Sequence, residues 1–223
     1  MCIRDRDVTA DESEIGYLLD VVNRYFKEQL RREDILHAFS GVRPLFDDGK
    51  GNPSAVTRDY TFDLDETDGV PLLNVFGGKI TTFRKLAEHA VEKIENYFPG
   101  MAGSWTSGAP LPGGEIPNAD FVTFTERLRE AYPWMPRRLM RHYARLYGAR
   151  THILVGDAGD LSGLGRHFGG DLYEAEVRYL IAHEWAMTAD DVLVRRTKHG
   201  LHLSAAEKSA LAEWFDNRAD IAA

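Results

Sequence analysis

A glycine turn between a strand-length run and a helical pattern constrains the fold of this chain most. Residues 70–76 form a mostly apolar run, and residues 83–98 repeat apolar side chains at the three- and four-residue spacing of a helix. The connecting segment, Gly77–Thr82, begins with two glycines, which permit positive φ and close approach to the backbone. Because the first N–H groups of a helix lack partners within it, this order predicts a strand-to-helix turn that attracts anions. Lys79 adds a full positive charge, although a plain tight turn with a surface lysine fits the same pattern.

The segment that precedes this turn is predicted to contain both helix and strand. Residues 11–28 have the periodicity of an amphipathic helix, and residues 35–39 are predicted to form a short strand. The alternation from 58 to 64 predicts another strand, and the turn formers of residues 65–69 indicate a hairpin to the next one.

The segment that follows the turn divides into a linker and a helical region. Residues 101–117 are rich in glycine, proline and serine, which is typical of a domain linker. Beyond residue 118 only helices are predicted, over residues 119–132, 136–147, 173–185, 189–198 and 204–218. Ser204 with Glu207, and Thr188 with Asp191, have the spacing of helix starts. The predicted fold class is therefore a mixed α+β or α/β part, residues 8–100, followed by an all-α domain, residues 118–223.

Composition excludes several classes of protein. A net charge of −8 disfavours a general nucleic-acid binder, so no nucleic-acid partner is expected. No apolar run reaches the length of a transmembrane helix, and the single cysteine, Cys2, excludes a disulfide framework and fits a reducing compartment. Residues 1–7 are charged and without periodicity, and they resemble translated adapter sequence, so they are expected to be a non-native lead.

Known phosphate and metal motifs are missing from the sequence. A P-loop that uses Lys79 would need glycine at position 73 and serine or threonine at position 80, which hold Leu73 and Ile80. The dinucleotide pattern G-x-G-x-x-G and the nucleophile elbow G-x-S-x-G are also absent. His199 and His202 have no further ligand at metal-site spacing, so no metal site is expected.

Two arginines next to predicted strand ends are candidate anion ligands. Arg43 and Arg58 each lie beside a turn, and a guanidinium presents a planar fork that suits phosphate or carboxylate oxygens. Pairing with neighbouring acids such as Asp47 or Asp59 explains the same placement, and spacing leaves both interpretations open.

Three motifs together resemble one family of flavoenzymes. Residues 40–45 (SGVRPL), 55–60 (AVTRDY) and 73–88 (LNVFGGKITTFRKLAE) resemble the FAD-dependent aerobic sn-glycerol-3-phosphate dehydrogenases. Residues 171–179 and 193–201 are similar to the C-terminal helical domain of that family. The resemblance extends from about Val8 to Leu203, but the family's N-terminal nucleotide-binding glycine motif has no counterpart here. The chain is therefore expected to be the C-terminal portion of a longer dehydrogenase and to be inactive alone.

The resemblance implies an activity and a cofactor for the intact enzyme. Residues 8–100 would form the C-terminal part of an FAD and substrate domain. The enzyme would oxidise sn-glycerol 3-phosphate to dihydroxyacetone phosphate and pass electrons to membrane quinone. Such an enzyme would be cytoplasmic, held peripherally at the inner face of the membrane, and compatible with a homodimer.

The same resemblance implies roles for individual residues. The general base has no candidate in this chain. The substrate phosphate would contact Arg43, Arg58 and Lys79. The flavin would contact six residues of the glycine turn: Gly77, Gly78, Lys79, Ile80, Thr81 and Thr82.

Two other functions remain open at the level of the sequence. A sister FAD-dependent oxidoreductase of amines or amino acids would use an arginine to bind a carboxylate instead of a phosphate. A helical binding module without catalysis would use the basic run at 195–199 for a nucleic acid or an anionic surface, although such runs usually offset the helix dipole.

Overall fold

The computed structural model describes residues 9–41, 46, 59–67 and 69–217. Within these residues the chain is mostly helical and contains two antiparallel two-stranded sheets. It divides into two compact units, Met1–Gly108 and Ala109–Ala223. The division lies inside the segment predicted as a linker, while the roles assigned to the two domains stay predictions.

Helix α1, Glu12–Tyr25, confirms the helix predicted for residues 11–28 but ends three residues earlier. It begins at Asp11, whose carboxylate accepts hydrogen bonds from the backbone N–H groups of Ser13 and Glu14. Such a cap satisfies N–H groups that the first helical turn leaves without partners. Ile15 is buried, whereas Tyr25 is 77% exposed, so only part of the apolar face of α1 is covered within the described residues.

The strand predicted for residues 35–39 is wrong. This segment follows a 3-10 turn at Arg32–Asp34 and has no regular structure. Leu36 and Phe39 are 97% and 90% exposed. A strand needs a hydrogen-bonded neighbour, and the described residues place none beside this segment, so its apolar and extended character is not sufficient.

The predicted hairpin is confirmed. Strand β1, Tyr60–Asp65, pairs antiparallel with β2, Leu72–Gly77. The register joins Asp65 to Leu72 at the turn end and Tyr60 to Gly77 at the open end. The open end of the hairpin therefore leads directly into the glycine turn.

Helix α2, Phe83–Ile94, confirms the helix predicted after the glycine turn. One 3-10 turn, Ile80–Thr82, precedes it, and another, Glu95–Tyr97, extends it. The last segment of the first unit packs back against α2, where Thr106 contacts Arg84 and Glu88.

Within its described residues, the second unit contains five α-helices around a shared apolar core. They are α3, Phe121–Ala131; α4, Arg137–Tyr147; α5, Thr151–Val155; α6, Glu174–Glu184; and α7, Ala205–Asp216. The most completely buried apolar side chains include Leu128, Tyr143, Leu172, Val177 and Leu211. The predicted helix at 189–198 is a wider π-type turn, Asp191–Arg196.

The two predicted helix starts in the second unit are confirmed. Ser204 and Glu207 form a reciprocal capping box at α7. Thr188 and Asp191 exchange backbone-to-side-chain hydrogen bonds in the same way.

The expectation that the C-terminal part contains only helices is wrong at one hairpin. Strands β3, His167–Gly169, and β4, Leu172–Tyr173, pair antiparallel. Gly169 and Gly170 have φ of 125° and 56°, which lets the chain reverse within two residues. Helix α5 was not predicted from the sequence, since five residues are too few to show a helical period.

Candidate functional site

The glycine turn has the backbone conformation that its sequence predicts. Gly77 and Gly78 have φ of 73° and 93°. A Cβ atom at Gly78 would lie 3.2 Å from Cδ1 of Leu86 and 3.3 Å from Cβ of Tyr60. Gly78 is therefore needed both for its backbone conformation and for the close contact between β1, the turn and α2.

The first helical turn after Gly78 presents backbone donors that have no partner within the helix. The Lys79 carbonyl accepts from the backbone N–H of Thr82 at 3.0 Å and from its Oγ1 at 2.9 Å. The N–H groups of Ile80 and Thr81 precede any helical acceptor and are left without a helical partner. Lys79 is exposed and forms no ion pair with the described residues. This end of α2 is thus positive and accessible, which is the chemistry predicted for it; its contact with a flavin stays a prediction.

Hydrogen bonds of His89 and Glu88 connect α2 to its neighbours in the first unit. The Tyr60 hydroxyl lies 2.6 Å from Nδ1 of His89 and joins β1 to the helix. Glu88 accepts hydrogen bonds from Lys85 Nζ at 2.7 Å and from the Thr106 hydroxyl. These two bonds, with the charge of Arg84, lower the pKa of Glu88 to about 2.

The structure does not place the two candidate phosphate ligands. Arg43 and Arg58 lie outside the described residues, so their role stays a prediction.

The basic side chains of residues 195–199 mostly bind carboxylate and carbonyl groups of neighbouring residues. Arg195 pairs with Asp191 at 2.6 Å, Arg196 donates to the Glu184 carbonyl at 2.9 Å, and Lys198 donates to the Val194 carbonyl. Cations that satisfy nearby carbonyls and carboxylates favour the local structural explanation over an anion-binding surface.

A buried polar cluster in the second unit was not predicted from the sequence. Nε2 of His142 on α4 donates to Oε1 of Glu176 on α6 at 2.8 Å, and the Tyr147 hydroxyl donates to the same oxygen at 2.6 Å. Nε2 of His199 lies 3.7 Å from Oε2 of Glu176, which is too long for a hydrogen bond. We call His142, Glu176 and His199 the His–Glu–His cluster.

Electrostatics favour the charged forms of Glu176 and His142. Burial raises the pKa of Glu176, but the hydrogen bond and charge of His142, the nearby imidazole of His199 and the hydrogen bond from Tyr147 bring it below its ordinary value. Burial lowers the pKa of His142, and the Glu176 carboxylate outweighs that effect and raises it. The three members are 34 and 23 residues apart, so no spacing rule could have connected them before the fold was known.

The second unit identifies the family of this chain. Residues 104–220 match the family described as the C-terminal domain of alpha-glycerophosphate oxidase, and the chain belongs to that family.

The curated relatives support the family assignment over nearly the whole chain. The chain is 70% identical over 214 residues to D-erythritol 1-phosphate dehydrogenase of Brucella abortus (strain 2308), covering 96% of this chain and 43% of that protein. It is 52% identical to aerobic glycerol-3-phosphate dehydrogenase of Escherichia coli (strain K12), covering 93% and 42%. It is 47% identical to glycerol-3-phosphate dehydrogenase of Pseudomonas aeruginosa, covering 94% and 41%. The resemblance found in the motifs is confirmed, and the chain spans less than half the length of these relatives.

Proposed function

We propose that this chain is part of an FAD-dependent dehydrogenase that oxidises a polyol phosphate. The observation that carries the proposal is the similarity to relatives named as dehydrogenases of D-erythritol 1-phosphate and glycerol 3-phosphate, which extends over more than nine-tenths of the chain. This similarity includes the glycine turn, which the family resemblance associates with the flavin.

The residues at the glycine turn suit a bound flavin. The close contacts at Gly78 bring the backbone next to the helix start, and Lys79 with the N–H groups of Ile80 and Thr81 points positive charge toward solvent. When bound, FAD supplies the acceptor for the hydride that leaves the oxidised carbon. Lys79 and these N–H groups would stabilise negative charge near N1 and the C2 carbonyl of the flavin.

The substrate would be held by its phosphate. Arg43 and Arg58 would bind the phosphate oxygens, with Lys79 nearby, and would fix the carbon to be oxidised against the flavin. The group that takes the hydroxyl proton is not assigned to this chain.

Two substrates of the same class are supported to different degrees. The identity of 70% to a D-erythritol 1-phosphate dehydrogenase favours the four-carbon substrate. The identities of 52% and 47% to glycerol-3-phosphate dehydrogenases keep the three-carbon substrate, which the motifs alone suggested, as the second candidate. Both carry a hydroxyl on the carbon next to the CH2 group that bears the phosphate. The same phosphate ligands and the same hydride transfer therefore serve either substrate. An oxidoreductase of amines or amino acids has no support from these relatives.

The proposal also includes quinone as the electron acceptor, peripheral attachment to the inner face of the membrane, and a homodimer. Over the described residues, no helix combines the length and the apolarity needed to cross a bilayer.

The test is a substrate comparison on the full-length protein that contains this chain, purified with its flavin. Oxidation of D-erythritol 1-phosphate and of sn-glycerol 3-phosphate is followed with an artificial electron acceptor, with erythritol and glycerol as unphosphorylated controls. We expect kcat/KM for D-erythritol 1-phosphate to be higher by at least about 10-fold, since a site that binds an additional hydroxyl discriminates against a substrate without it.

The other outcomes are equally informative. A preference for sn-glycerol 3-phosphate would select the second candidate. A flavin-loaded protein that oxidises neither phosphate, or both unphosphorylated polyols equally well, would contradict the proposed class.

A further inference from the structure

The His–Glu–His cluster contains two buried polar atoms that the fold leaves without hydrogen-bond partners. Among the described residues, neither Oε2 of Glu176 nor Nε2 of His199 has such a partner. The Glu176 side chain is fully buried, and the His199 side chain is 8% exposed. Leaving a buried donor or acceptor unpaired costs about 1–3 kcal/mol, so a buried pair of such atoms facing each other calls for a ligand between them.

The donor atoms have the separation of ligands to one small cation. One nitrogen of each histidine and one carboxylate oxygen all lie within 4.8 Å of one another. Zinc binds imidazole nitrogen and carboxylate oxygen at about 2.0–2.2 Å, so two tetrahedral ligands lie about 3.4 Å apart. The 3.7 Å gap between His199 Nε2 and Glu176 Oε2 is close to that value.

The surroundings of Glu176 suit a ligand that uses one oxygen. Tyr147 donates to Oε1 at 2.6 Å and so leaves Oε2 directed to the gap. An outer hydrogen bond of this kind fixes the orientation of a metal-bound carboxylate. Nε2 of His142 contacts Oε1 at 2.8 Å, and the ring centres of His142 and His199 lie 4.9 Å apart, so both imidazoles lie beside the same carboxylate.

We propose that His142, Glu176 and His199 bind one Zn²⁺ ion in the helical unit, with a water as the fourth ligand. Two imidazoles and one carboxylate form a donor set that zinc takes with three protein ligands, and the hard cation Mg²⁺ prefers oxygen alone. The ion would connect α4, α6 and the turn at His199–Leu201, three elements that are distant in sequence. Its three residues are not among those proposed to contact flavin or phosphate, and the zinc site does not depend on the proposed function.

The test is metal binding by the whole 223-residue chain after treatment with a chelator and removal of the chelator. Zn²⁺ is titrated by calorimetry, and Co²⁺ is added as a visible probe of the coordination of the same site. We expect one Zn²⁺ per chain, a visible Co²⁺ absorption typical of four ligands that Zn²⁺ abolishes, and no heat with Mg²⁺.

Two histidine variants separate this site from adventitious binding. His199→Ala removes a ligand and should weaken Zn²⁺ binding by more than the roughly 10–100-fold that loss of an outer partner costs. His202→Ala is the matched control, because His202 is exposed and lies three residues away, and it should bind Zn²⁺ as the unaltered chain does.

Several results would overturn the zinc site. One is a Co²⁺ spectrum of the six-coordinate, hydrated ion in the unaltered chain. Another is equal Zn²⁺ affinity in His199→Ala and the unaltered chain, and a third is a loss of Zn²⁺ binding confined to His202→Ala. The Co²⁺ spectrum needs no variant and decides the question even if His199→Ala does not fold. A water between Glu176 and His199, rather than an ion, would give the first of these results.

Discussion

The Tyr60 hydroxyl lies 2.6 Å from Nδ1 of His89 and connects the first residue of β1 to the middle of α2. The Cβ of the same tyrosine also limits the space at Gly78, where an added Cβ would lie 3.3 Å away. Strand, turn and helix are therefore held against one another at the point where the helix begins. The orientation of the Ile80 and Thr81 N–H groups depends on this packing.

Gly78→Ala should destabilise the first unit. Alanine at φ of 93° is strained, and its Cβ would press on Leu86 and Tyr60. A residue held in such a conformation costs about 1–3 kcal/mol. Hydrogen exchange of the peptide that covers α2, together with urea denaturation of the chain, measures the loss.

Gly16→Ala is the matched control for that substitution. Gly16 lies inside α1, and a Cβ there meets nothing within 4 Å. Replacing a helical glycine with alanine should stabilise the chain by up to about 1 kcal/mol. If both alanine variants changed stability in the same direction, the conformational argument for Gly78 would be wrong.

Because of Glu88, the free energy of unfolding of the first unit should decrease at acid pH. Its pKa is about 2 in the folded chain against an ordinary value of 4.5, because Lys85 and Thr106 donate to the carboxylate. A folded-state pKa below the unfolded one adds stability that is complete above the unfolded value and is lost as the pH falls toward the folded value. The difference in urea midpoint between the unaltered chain and Glu88→Gln should thus be constant above about pH 5 and shrink steadily toward pH 2.

The control for the pH experiment is Glu92→Gln, the same carboxylate-to-amide change on the same helix. Among the described residues, Glu92 has only a long contact to the Ser104 hydroxyl, at 3.4 Å, so this variant lacks the contacts that Lys85 and Thr106 make to Glu88. A constant difference for Glu88→Gln down to pH 3 would show that the carboxylate contacts do not operate in solution.

The elements with strong local patterns could be predicted from the sequence. The hairpin of β1 and β2, the glycine turn and α2 follow from alternation, turn formers and helical period over adjacent residues. The strand expected at 35–39 failed because a strand also needs a neighbour, which no local pattern supplies. The hairpin of β3 and β4 was missed because three residues against two are too short to show alternation.

The two candidate sites also differ in how far the sequence could predict them. The glycine turn is contiguous, so its donors could be identified before the structure was known. The His–Glu–His cluster combines α4, α6 and a later turn, and only the packing of the second unit brings these residues together. No metal site was predicted from the sequence because only His202 lies near His199 along the chain. His142 and Glu176 are too far away in sequence to be connected with them.

Tyr147→Phe and Tyr143→Phe should differ in their effect on the second unit. Both tyrosines lie on α4 and are buried, but Tyr147 donates to Glu176 whereas the Tyr143 hydroxyl has no partner among the described residues. A hydrogen bond to a charged group contributes about 1.5–3 kcal/mol, so Tyr147→Phe should lower the free energy of unfolding by that amount. Tyr143→Phe should be neutral or slightly stabilising.

Thermal and urea denaturation of both tyrosine variants, with chelator present, measures this difference. Chelator removes any contribution from bound metal to the comparison. Equal losses in the two variants would mean that the Tyr147–Glu176 hydrogen bond contributes little beyond packing.

Arg43→Ala or Arg58→Ala in the full-length protein should reduce activity on the phosphorylated substrate. Each set of charged hydrogen bonds to a phosphate contributes on the order of 1.5–3 kcal/mol, which corresponds to roughly 10- to 150-fold in kcat/KM. Activity with the unphosphorylated polyol should fall less, and equal losses on both substrates would refute the phosphate role of these arginines.

Lys79→Met in the flavin-loaded, full-length protein should lower the midpoint potential of the flavin. Lys79 is exposed at the start of the helix and forms no ion pair with the described residues, so its charge is available to a bound anionic group. Its removal would disfavour the reduced, negatively charged flavin, and for a two-electron couple a shift of about 30 mV corresponds to ~1.4 kcal/mol. Lys93→Met, in the last turn of α2, is the matched control and should leave the potential unchanged. A redox titration at equal FAD content measures both variants. An unchanged potential in Lys79→Met would leave Lys79 as an ordinary surface lysine beside a tight turn.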